Sequence, residues 1–383
     1  MDKGSGGVNQ GSRGSVKSCL FLIQNFRQGF GGGPESIRLA AYCLRNTAIS
    51  SDVWDGKNLV KDIGKLGALP VDFKGSTQCN DLDTEAYQWI VCVGVWQPAK
   101  LLMKVLAKSH ARQKFYYLPR GGLCKVEFVR LRDAKKIPYL LLVEVIWICL
   151  AKGILFSSRL EFEKSVFPIT LFRRKAHIGP DFFLPSWPKP EQLPKASIFT
   201  FSTLAELHPR KGILELVTAF LDWVQEEGLL NDVRLVIGGA CRPGYEWYLQ
   251  KVREVTTRSR AGSCVEFAGT ITHSDRKSFY QRTEIFVVAS HFESFGLTLL
   301  EAMHSGCQVL TVQDIGALEY LDGANNITVA SGLQATQLRG GLKEAYQRAK
   351  NTETRLPEQI DQESGIFDSI NLQALEVWKT MLE

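Results

Sequence analysis

Two glutamates, Glu293 and Glu301, stand on either side of a stretch that holds a loop and the start of a helix. The apolar run 285–289 before the loop predicts a buried strand, and Leu297 predicts the first turn of the helix. A strand that leads through a glycine-containing loop into a helix presents backbone N–H groups and the positive end of the helix dipole, which together bind phosphate. Since phosphate repels a carboxylate, we expect both glutamates to accept hydrogen bonds from hydroxyl groups. A diphosphate flanked by two polyols is a nucleotide-sugar, which is the ligand that this stretch predicts.

Both glutamates also have a structural interpretation that needs no ligand. Thr298 and Glu301 match the spacing of a capping box, in which the glutamate side chain bonds a backbone N–H group at the helix start. Glu293 can equally be a loop carboxylate at the surface. The residues alone leave these interpretations open beside the nucleotide-sugar one.

A family resemblance adds to this argument. The stretch from the first glutamate reads Glu293-Ser-Phe-Gly-Leu-Thr-Leu-Leu-Glu301-Ala-Met, with Gly306 after it. It closely resembles the E-x7-E signature of retaining GT-B glycosyltransferases of family 4. These are the group 1 enzymes of bacterial polysaccharide and lipopolysaccharide assembly. The resemblance implies a UDP- or GDP-sugar donor as substrate, no cofactor, no metal ion and retention at the anomeric carbon. It implies that Glu293 is catalytic and that Glu301 contacts the ribose of the donor. Further donor-binding residues would be Phe295, Gly296, Leu297 and Thr298.

A second candidate segment, 205–212, lies between a predicted strand and a predicted helix. Arg210 and Lys211 stand at its helix end, where two cations oppose the helix dipole unless an anion binds there. The segment resembles the Arg-Leu-x-x-x-Lys-Gly motif of the same family, which makes Lys211 a catalytic residue in contact with the donor diphosphate and Arg210 a donor-binding residue. Glu206 occupies the position of the motif arginine. Either Arg210 takes the place of that arginine, or the diphosphate is held differently.

Two elements in the first half of the chain complete the set of candidates. Gly32 and Gly33 end a glycine-rich run after a predicted strand, and they resemble the family's glycine loop beside the donor phosphates. Arg120 lies in a turn that resembles the Pro-Arg-Gly-x-Leu element of polysaccharide-assembling members, which implies that it binds the acceptor. Pairing of Arg120 with a neighbouring acid is the open alternative. The sequence at 93–96 lacks the histidine that family members often have there, so no role for it is carried over.

Short apolar strands alternate with helical patterns along both halves of the 383-residue chain. This alternation predicts an α/β protein with two doubly wound, Rossmann-like domains that face a cleft, and ligands at the carboxyl ends of the strands. The resemblance makes this a GT-B fold whose C-terminal helix crosses back to the first domain. Five prolines between positions 180 and 194 predict a linker. We assign a flexible leader (1–18), an acceptor-binding domain (19–185), a linker (186–196), a nucleotide-sugar-binding domain (197–365) and the crossing helix (366–383).

The two halves carry opposite charge. Residues 1–190 contain 28 Lys and Arg against 15 Asp and Glu, and residues 191–383 contain 18 against 25. An anionic partner for the first half is one explanation and an ordinary solvated surface is the other. Nucleic acid is not expected, because basic residues do not alternate with aromatic ones as in known modules. The basic stretch 100–136 beside the apolar stretch 137–151 favours docking on an anionic membrane surface instead.

The expected location is the cytoplasm, with peripheral association at the cytoplasmic face of the membrane. Nine scattered cysteines form no C-x-x-C or zinc spacing, and no signal-peptide core follows the first residues. The apolar stretch near residues 137–156 is long enough to span a bilayer, but Glu144 lies near its middle. We therefore expect a buried helix that leads into a strand.

Three alternatives to a sugar transferase stay open. A nucleotide-sugar epimerase or a glycosyl phosphorylase would use the same fold, and a non-catalytic nucleotide-sugar-binding subunit would need no complete catalytic set. Glu206 and the absent histidine are the reasons why the last of these stays open. Release of free nucleoside diphosphate from donor sugars distinguishes transfer from mere binding.

Overall fold

Two open β-sheets form the framework of the protein. The structure, a computed structural model, describes residues 17–23, 26, 32–55, 58–67, 77–78, 82–94, 107, 114–125, 138, 140–166, 173–185, 187–188, 198–351 and 357–383. The strands of the first sheet are β1 (Lys17–Leu22), β2 (Ile49–Trp54), β3 (Asn58–Val60), β4 (Thr77–Gln78), β5 (Trp89–Val93), β6 (Phe115–Leu118), β7 (Gly153–Phe156) and β8 (Ala176–Ile178). Those of the second sheet are β9 (Phe199–Leu204), β10 (Val233–Gly238), β11 (Val265–Gly269), β12 (Ile285–Val288), β13 (Gln308–Val312) and β14 (Ile327–Ala330).

Both sheets have the order of a doubly wound domain. The first runs β4-β3-β2-β1-β5-β6-β7-β8 and is parallel except for β3 and β4, which pair antiparallel at one edge. The second runs β11-β10-β9-β12-β13-β14 and is parallel throughout. Parallel strands need helical crossovers, so both faces of each sheet are covered and the ligand-binding turns collect at one edge. The predicted α/β class with two Rossmann-like domains is confirmed.

Helices cover these sheets. They are α1 (Gly32–Arg45), α2 (Val145–Leu150), α3 (Arg159–Glu163), α4 (Ile213–Glu227), α5 (Glu246–Arg258), α6 (Arg276–Gln281), α7 (Leu297–His304), α8 (Ala335–Asn351) and α9 (Pro357–Leu382). The apolar face of α4 shows how they pack: Phe220 and Trp223 lie edge-on against Phe201 of β9, with all three side chains at most 1% exposed. Aromatic burial of this kind contributes most of the stability of such a layer.

The last helix crosses back to the first domain, as the resemblance implied. It begins at Pro357, earlier than the predicted crossing helix 366–383. Its final turns pack on the first sheet, where the Trp378 ring lies 6.0 Å from that of Phe21 and Trp89 Nε1 donates to Leu382 O over 2.7 Å. The helix thereby joins the two domains through their cores.

The apolar stretch before β7 is a helix, but only one of its faces is buried. A π-helical turn (Leu140–Glu144) continues into α2. Glu144 is 1% exposed and accepts a hydrogen bond of 2.5 Å from Tyr117 OH, which explains an acid within an apolar run. Leu142 and Ile146 are 68% and 51% exposed, so the expectation of a buried helix is corrected for this face. Within the described ranges, none of the helices has the length and apolar character needed to cross a bilayer.

Candidate active site

Lys211 and Glu293 meet at the carboxyl-terminal edge of the second sheet, although they are 82 positions apart in sequence. The strands β9 and β12 are parallel neighbours, so the turns that follow them lie side by side. Lys211 Nζ donates a hydrogen bond to Glu293 Oε1. Gly212, with φ 62°, lets the first turn pass close to the second, because a Cβ there would lie 1.8 Å from Ala289 O. The fold thus brings the two candidate catalytic residues into contact.

The Lys211–Glu293 contact is mostly shielded from solvent. The two side chains are 16% and 18% exposed, and Ser290 Oγ also donates to Glu293 Oε1 over 2.6 Å. Burial by itself would raise the pKa of Glu293, but the charges of Lys211 and Arg210 hold that pKa below its ordinary value. Glu293 is therefore ionised at neutral pH and forms an ion pair with Lys211.

The start of α7 lies directly beyond Glu293. Gly296, with φ 113°, is the cap residue, and the partly exposed Leu297 and Thr298 form the first turn. The side chain of Phe295 is only 2% exposed, so its backbone is what a ligand can reach. The first N–H groups of any helix lack partners within it and attract anions. Lys211 and the start of α7 therefore both lie next to Glu293.

Glu301 is bonded to the neighbouring helix α6. Arg276 Nη1 and Tyr280 OH each donate to its carboxylate over 2.7 Å, and Glu301 is 8% exposed. Burial by itself would lower the pKa of Arg276, but the adjacent carboxylate raises it above its ordinary value. The capping-box alternative is wrong, because α7 is capped at Gly296 and the Glu301 carboxylate is bonded to α6.

Glu206, which occupies the position of the motif arginine, lies near the Nε2 atom of the buried His208, whereas Arg210 contacts the Nδ1 atom of the same ring. His208 Nδ1 accepts from Arg210 N over 3.4 Å, and Glu206 Oε2 lies 3.8 Å from His208 Nε2 and 3.9 Å from Arg242 Nε. Burial lowers the pKa of His208 to about 3, and the charges of Arg210 and Lys211 add to this effect. The imidazole is therefore neutral in a strongly positive environment.

Arg120 is paired within the first domain. Its Nη1 donates to Ser157 Oγ over 2.8 Å and to the carboxylate of Asp181, and the Arg120 and Asp181 side chains are 11% and 10% exposed. Behind this pair, Glu161 accepts from the backbone of Gly121 and Ser157, and burial raises the pKa of Glu161. The alternative that Arg120 pairs with an acid therefore holds in the structure, and the acid is Asp181. Whether Arg120 also binds an acceptor stays a prediction.

The first domain contacts the Glu293 loop through the start of α3. Ser158 Oγ donates to Ser294 O over 2.8 Å, and the Glu319 carboxylate accepts from the backbone N–H groups of Arg159 and Leu160 over 2.8 and 2.6 Å. Arg120 is bonded to Ser157, so its pair with Asp181 lies next to this contact between the domains.

Gly32 and Gly33 form the first turn of α1, where the sequence predicted a loop. A Cβ on Gly33 would meet nothing within 4 Å, so there is open space beside Gly33. Glu35 in the same turn lines a narrow gap together with Leu297 and Glu301. The glycine-rich residues before Gly32 lie outside the described part of the chain.

Sequence reasoning missed four partners of the candidate residues. Arg276 and Tyr280 lie 25 and 21 positions before Glu301, and Asp181 lies 61 positions after Arg120, so no short motif joins them. Ser290 could be found in the sequence as the first polar residue after β12.

In the part of the chain that the structure describes, no group of three or more His, Cys, Asp or Glu side chains is arranged to hold a metal ion.

Solved structures share this architecture over nearly the whole chain. HepE of Anabaena in complex with UDP-glucose has a TM-score of 0.68 at 16% identity, with 95% of this chain and 99% of that chain covered. Sucrose-phosphate synthase from Thermosynechococcus elongatus has a TM-score of 0.67 at 16% identity, with the same coverage. At such identity the likeness defines the fold, which is GT-B.

Sequence comparison finds a family match for the second half of the chain. Residues 187–362, which include Lys211, Glu293 and Glu301, match the family described as glycosyl transferases group 1. The alpha-monoglucosyldiacylglycerol synthase of Streptococcus pneumoniae is 31% identical over 111 residues, 29% of this chain and 23% of that protein. The alpha-1,3/1,6-mannosyltransferase of Homo sapiens is 26% identical over 196 residues, 45% of each chain. The matches span less than half the length of these curated relatives, and they support a glycosyltransferase.

Proposed function

We propose that the protein is a retaining, metal-independent glycosyltransferase that moves a sugar from a UDP- or GDP-sugar to a glycan or lipid-linked acceptor. The observation that carries the proposal is the contact of Lys211 with Glu293 beside the start of α7. A cation and a helix start suit a diphosphate, and a carboxylate suits sugar hydroxyls. The group 1 match of residues 187–362 supports this reaction class.

In this proposal the second domain stabilises the leaving nucleoside diphosphate. Lys211, Arg210 and the first N–H groups of α7 face the negative charge that develops as the glycosidic bond breaks. Fixed cations and amides can carry this charge, so the proposed mechanism needs no metal ion. Retention is proposed from the E-x7-E resemblance, with no enzyme nucleophile assigned.

Both glutamates would accept donor hydroxyls beside the partners that they already have. An ionised carboxylate has about four lone-pair sites. Glu293 would turn from Lys211 toward the sugar hydroxyls as the diphosphate takes over the lysine. Glu301 would accept from the ribose while Arg276 and Tyr280 hold it in place.

The first domain is proposed to bind the acceptor. Among the described residues, Arg120 Nε has no hydrogen-bond partner, whereas its Nη1 is bonded to Ser157 and Asp181. A guanidinium has five N–H donors, so Arg120 can hold Asp181 and still donate to a hydroxyl or phosphate of the acceptor. Gly32 and Gly33 would border the donor phosphates from this side.

An anionic membrane surface at the cytoplasmic face is the proposed docking partner. Leu142 and Ile146 lie one helical turn apart and are both more than half exposed. Lys152 follows this helix, and Lys175 donates to its last turn, so cations flank the apolar face. Within the basic stretch 100–136, the structure describes residues 107 and 114–125. The name of the Streptococcus pneumoniae relative refers to a diacylglycerol, which supports a lipid-linked acceptor.

A panel of UDP- and GDP-sugars tests the reaction. We expect release of free nucleoside diphosphate from one donor when acceptor extracts are present, unchanged activity in EDTA, and a product with the anomeric configuration of the donor by NMR. Donor sugars that are epimerised, or that are consumed only with free phosphate as acceptor, would indicate an epimerase or a phosphorylase. Absence of turnover with the whole panel would contradict the proposal.

Liposome flotation tests the docking surface. We expect Leu142→Asp with Ile146→Asp to reduce binding to vesicles that contain anionic lipid. Leu372→Asp is the matched control, because Leu372 is also 68% exposed but lies on α9. Binding that does not depend on anionic lipid, or that survives the double change, would remove the membrane from the proposal.

A further inference from the structure

The turns that follow β9 and β10 are bonded to each other beyond the ends of the strands. Leu207 N donates to Ala240 O over 2.8 Å, and Arg242 N donates to Leu207 O over 3.4 Å. Gly239, with φ 128°, permits this approach, since a Cβ there would lie 1.9 Å from Ala205 O. The turn after β10, which contains Arg242, therefore lies beside the turn after β9, which contains Lys211.

The Arg242 side chain can leave Glu206 for a phosphate. Its Nε lies 3.9 Å from Glu206 Oε2, with the two side chains 46% and 37% exposed, and its guanidinium lies 5.9 Å from the Tyr245 ring centre. An ion pair at this distance and exposure is weak. A phosphate would attract the same guanidinium more strongly, because two parallel N–H donors match two phosphate oxygens.

His208 links the two turns: its Nδ1 accepts from Arg210 N over 3.4 Å, and its Nε2 lies 3.8 Å from the Glu206 oxygen that is 3.9 Å from Arg242 Nε. Burial, then Arg210, Lys211 and Arg242, lower the pKa of His208. Each of these cations comes from the turn after β9 or the turn after β10. Three cations at one strand edge can form a single anion-binding cluster.

We propose that Arg242 binds the diphosphate of the donor and so supplies the positive charge that the family motif has at position 206. This inference rests on the proposed function, because it presumes a nucleoside diphosphate ligand. It gives a physical answer to the departure at Glu206: the positive charge comes from the neighbouring turn instead of the same one.

Titration calorimetry with UDP and with GDP tests the assignment in four proteins. We expect Arg242→Ala to raise the dissociation constant of the nucleotide that binds by about tenfold, as for the loss of one charge-assisted contact. The double variant Glu206→Arg with Arg242→Ala should return the constant to within about threefold of the wild type. Arg258→Ala is the control for net charge, because Arg258 is 82% exposed at the end of α5, and it should leave binding within about twofold.

Each remaining outcome decides against the assignment. Binding by Arg242→Ala within twofold of the wild type would show that Arg242 does not contact the diphosphate. A double variant no tighter than the single one would show that charge at position 206 cannot replace Arg242. A wild-type protein that binds neither nucleotide would overturn the proposed function and this inference with it, whereas the first two results leave the proposed function standing.

Discussion

Replacement of Glu293 by glutamine tests whether Lys211 is shared between this carboxylate and a phosphate. In the structure, Lys211 Nζ is bonded to Glu293, and both side chains are less than one-fifth exposed. A diphosphate must therefore compete with the carboxylate for the lysine. A hydrogen bond to a charged group contributes about 1.5–3 kcal/mol, and glutamine retains part of it through its amide oxygen. We expect Glu293→Gln to bind UDP about tenfold more tightly, equivalent to about 1.4 kcal/mol.

The same change should remove transfer. The sugar hydroxyls lose their charged acceptor, so turnover should fall by about a hundredfold or more, measured as UDP release from the preferred donor. Glu215→Gln is the matched control: it removes the same charge from α4, where Glu215 faces His291 at 3.5 Å. Calorimetry of the three proteins with UDP decides the matter. If Glu293→Gln binds UDP no more tightly than the wild type or the control, the idea of a shared lysine is refuted.

Three further predictions follow from other contacts of the site. Lys211→Ala should raise the dissociation constants for UDP and GDP by about ten- to a hundredfold in calorimetry, because one charge-assisted contact is lost. Arg276→Ala should lower the free energy of unfolding by about 2 kcal/mol in urea, because it leaves the buried carboxylate of Glu301 without its cation. The pKa of His208 in the folded protein, about 3, lies below its ordinary value of 6.5, so the unfolded state takes up the proton first and stability falls as pH drops below 6.5. His208→Asn, which can still cap the following turn, should remove about 2 kcal/mol of the loss between pH 7 and pH 5 in urea denaturation.

Each of these three changes has a result that would contradict it. Nucleotide affinity unchanged in Lys211→Ala would remove this lysine from the diphosphate site. An Arg276→Ala midpoint equal to that of the wild type would mean that Tyr280 and solvent suffice for Glu301. A His208→Asn protein that loses as much stability as the wild type between pH 7 and pH 5 would show that other groups cause the acid sensitivity.

Local pattern was sufficient for the elements that begin the two site segments. The apolar runs of β9 and β12 and the glycines after them are short-range features, so the strand, turn and helix at Lys211 and at Glu293 could be read from neighbouring residues. The start of α1 was harder. Gly32 and Gly33 favour a loop by themselves, but they form the first turn of the helix that continues to Arg45.

The strand β2 depends on tertiary contacts. The sequence in and around it is polar, so no local apolar pattern predicts a strand there. Asp52 within it accepts hydrogen bonds from Tyr87 OH over 2.7 Å and from Asp62 N over 2.8 Å. These partners lie 35 and 10 positions away, so a polar residue is stable in this strand only because the folded chain supplies its donors.

Neighbouring residues were sufficient to predict the class of fold, the two strand-to-helix turns and the acids and cations in those turns. Which charges meet became known from the folded chain: Lys211 with Glu293, Glu301 with Arg276, and Arg120 with Asp181. These pairs depend on the order of the strands and the placement of the helices. Because β12 lies beside β9, turns 82 positions apart share one edge, and no local pattern encodes that neighbourhood.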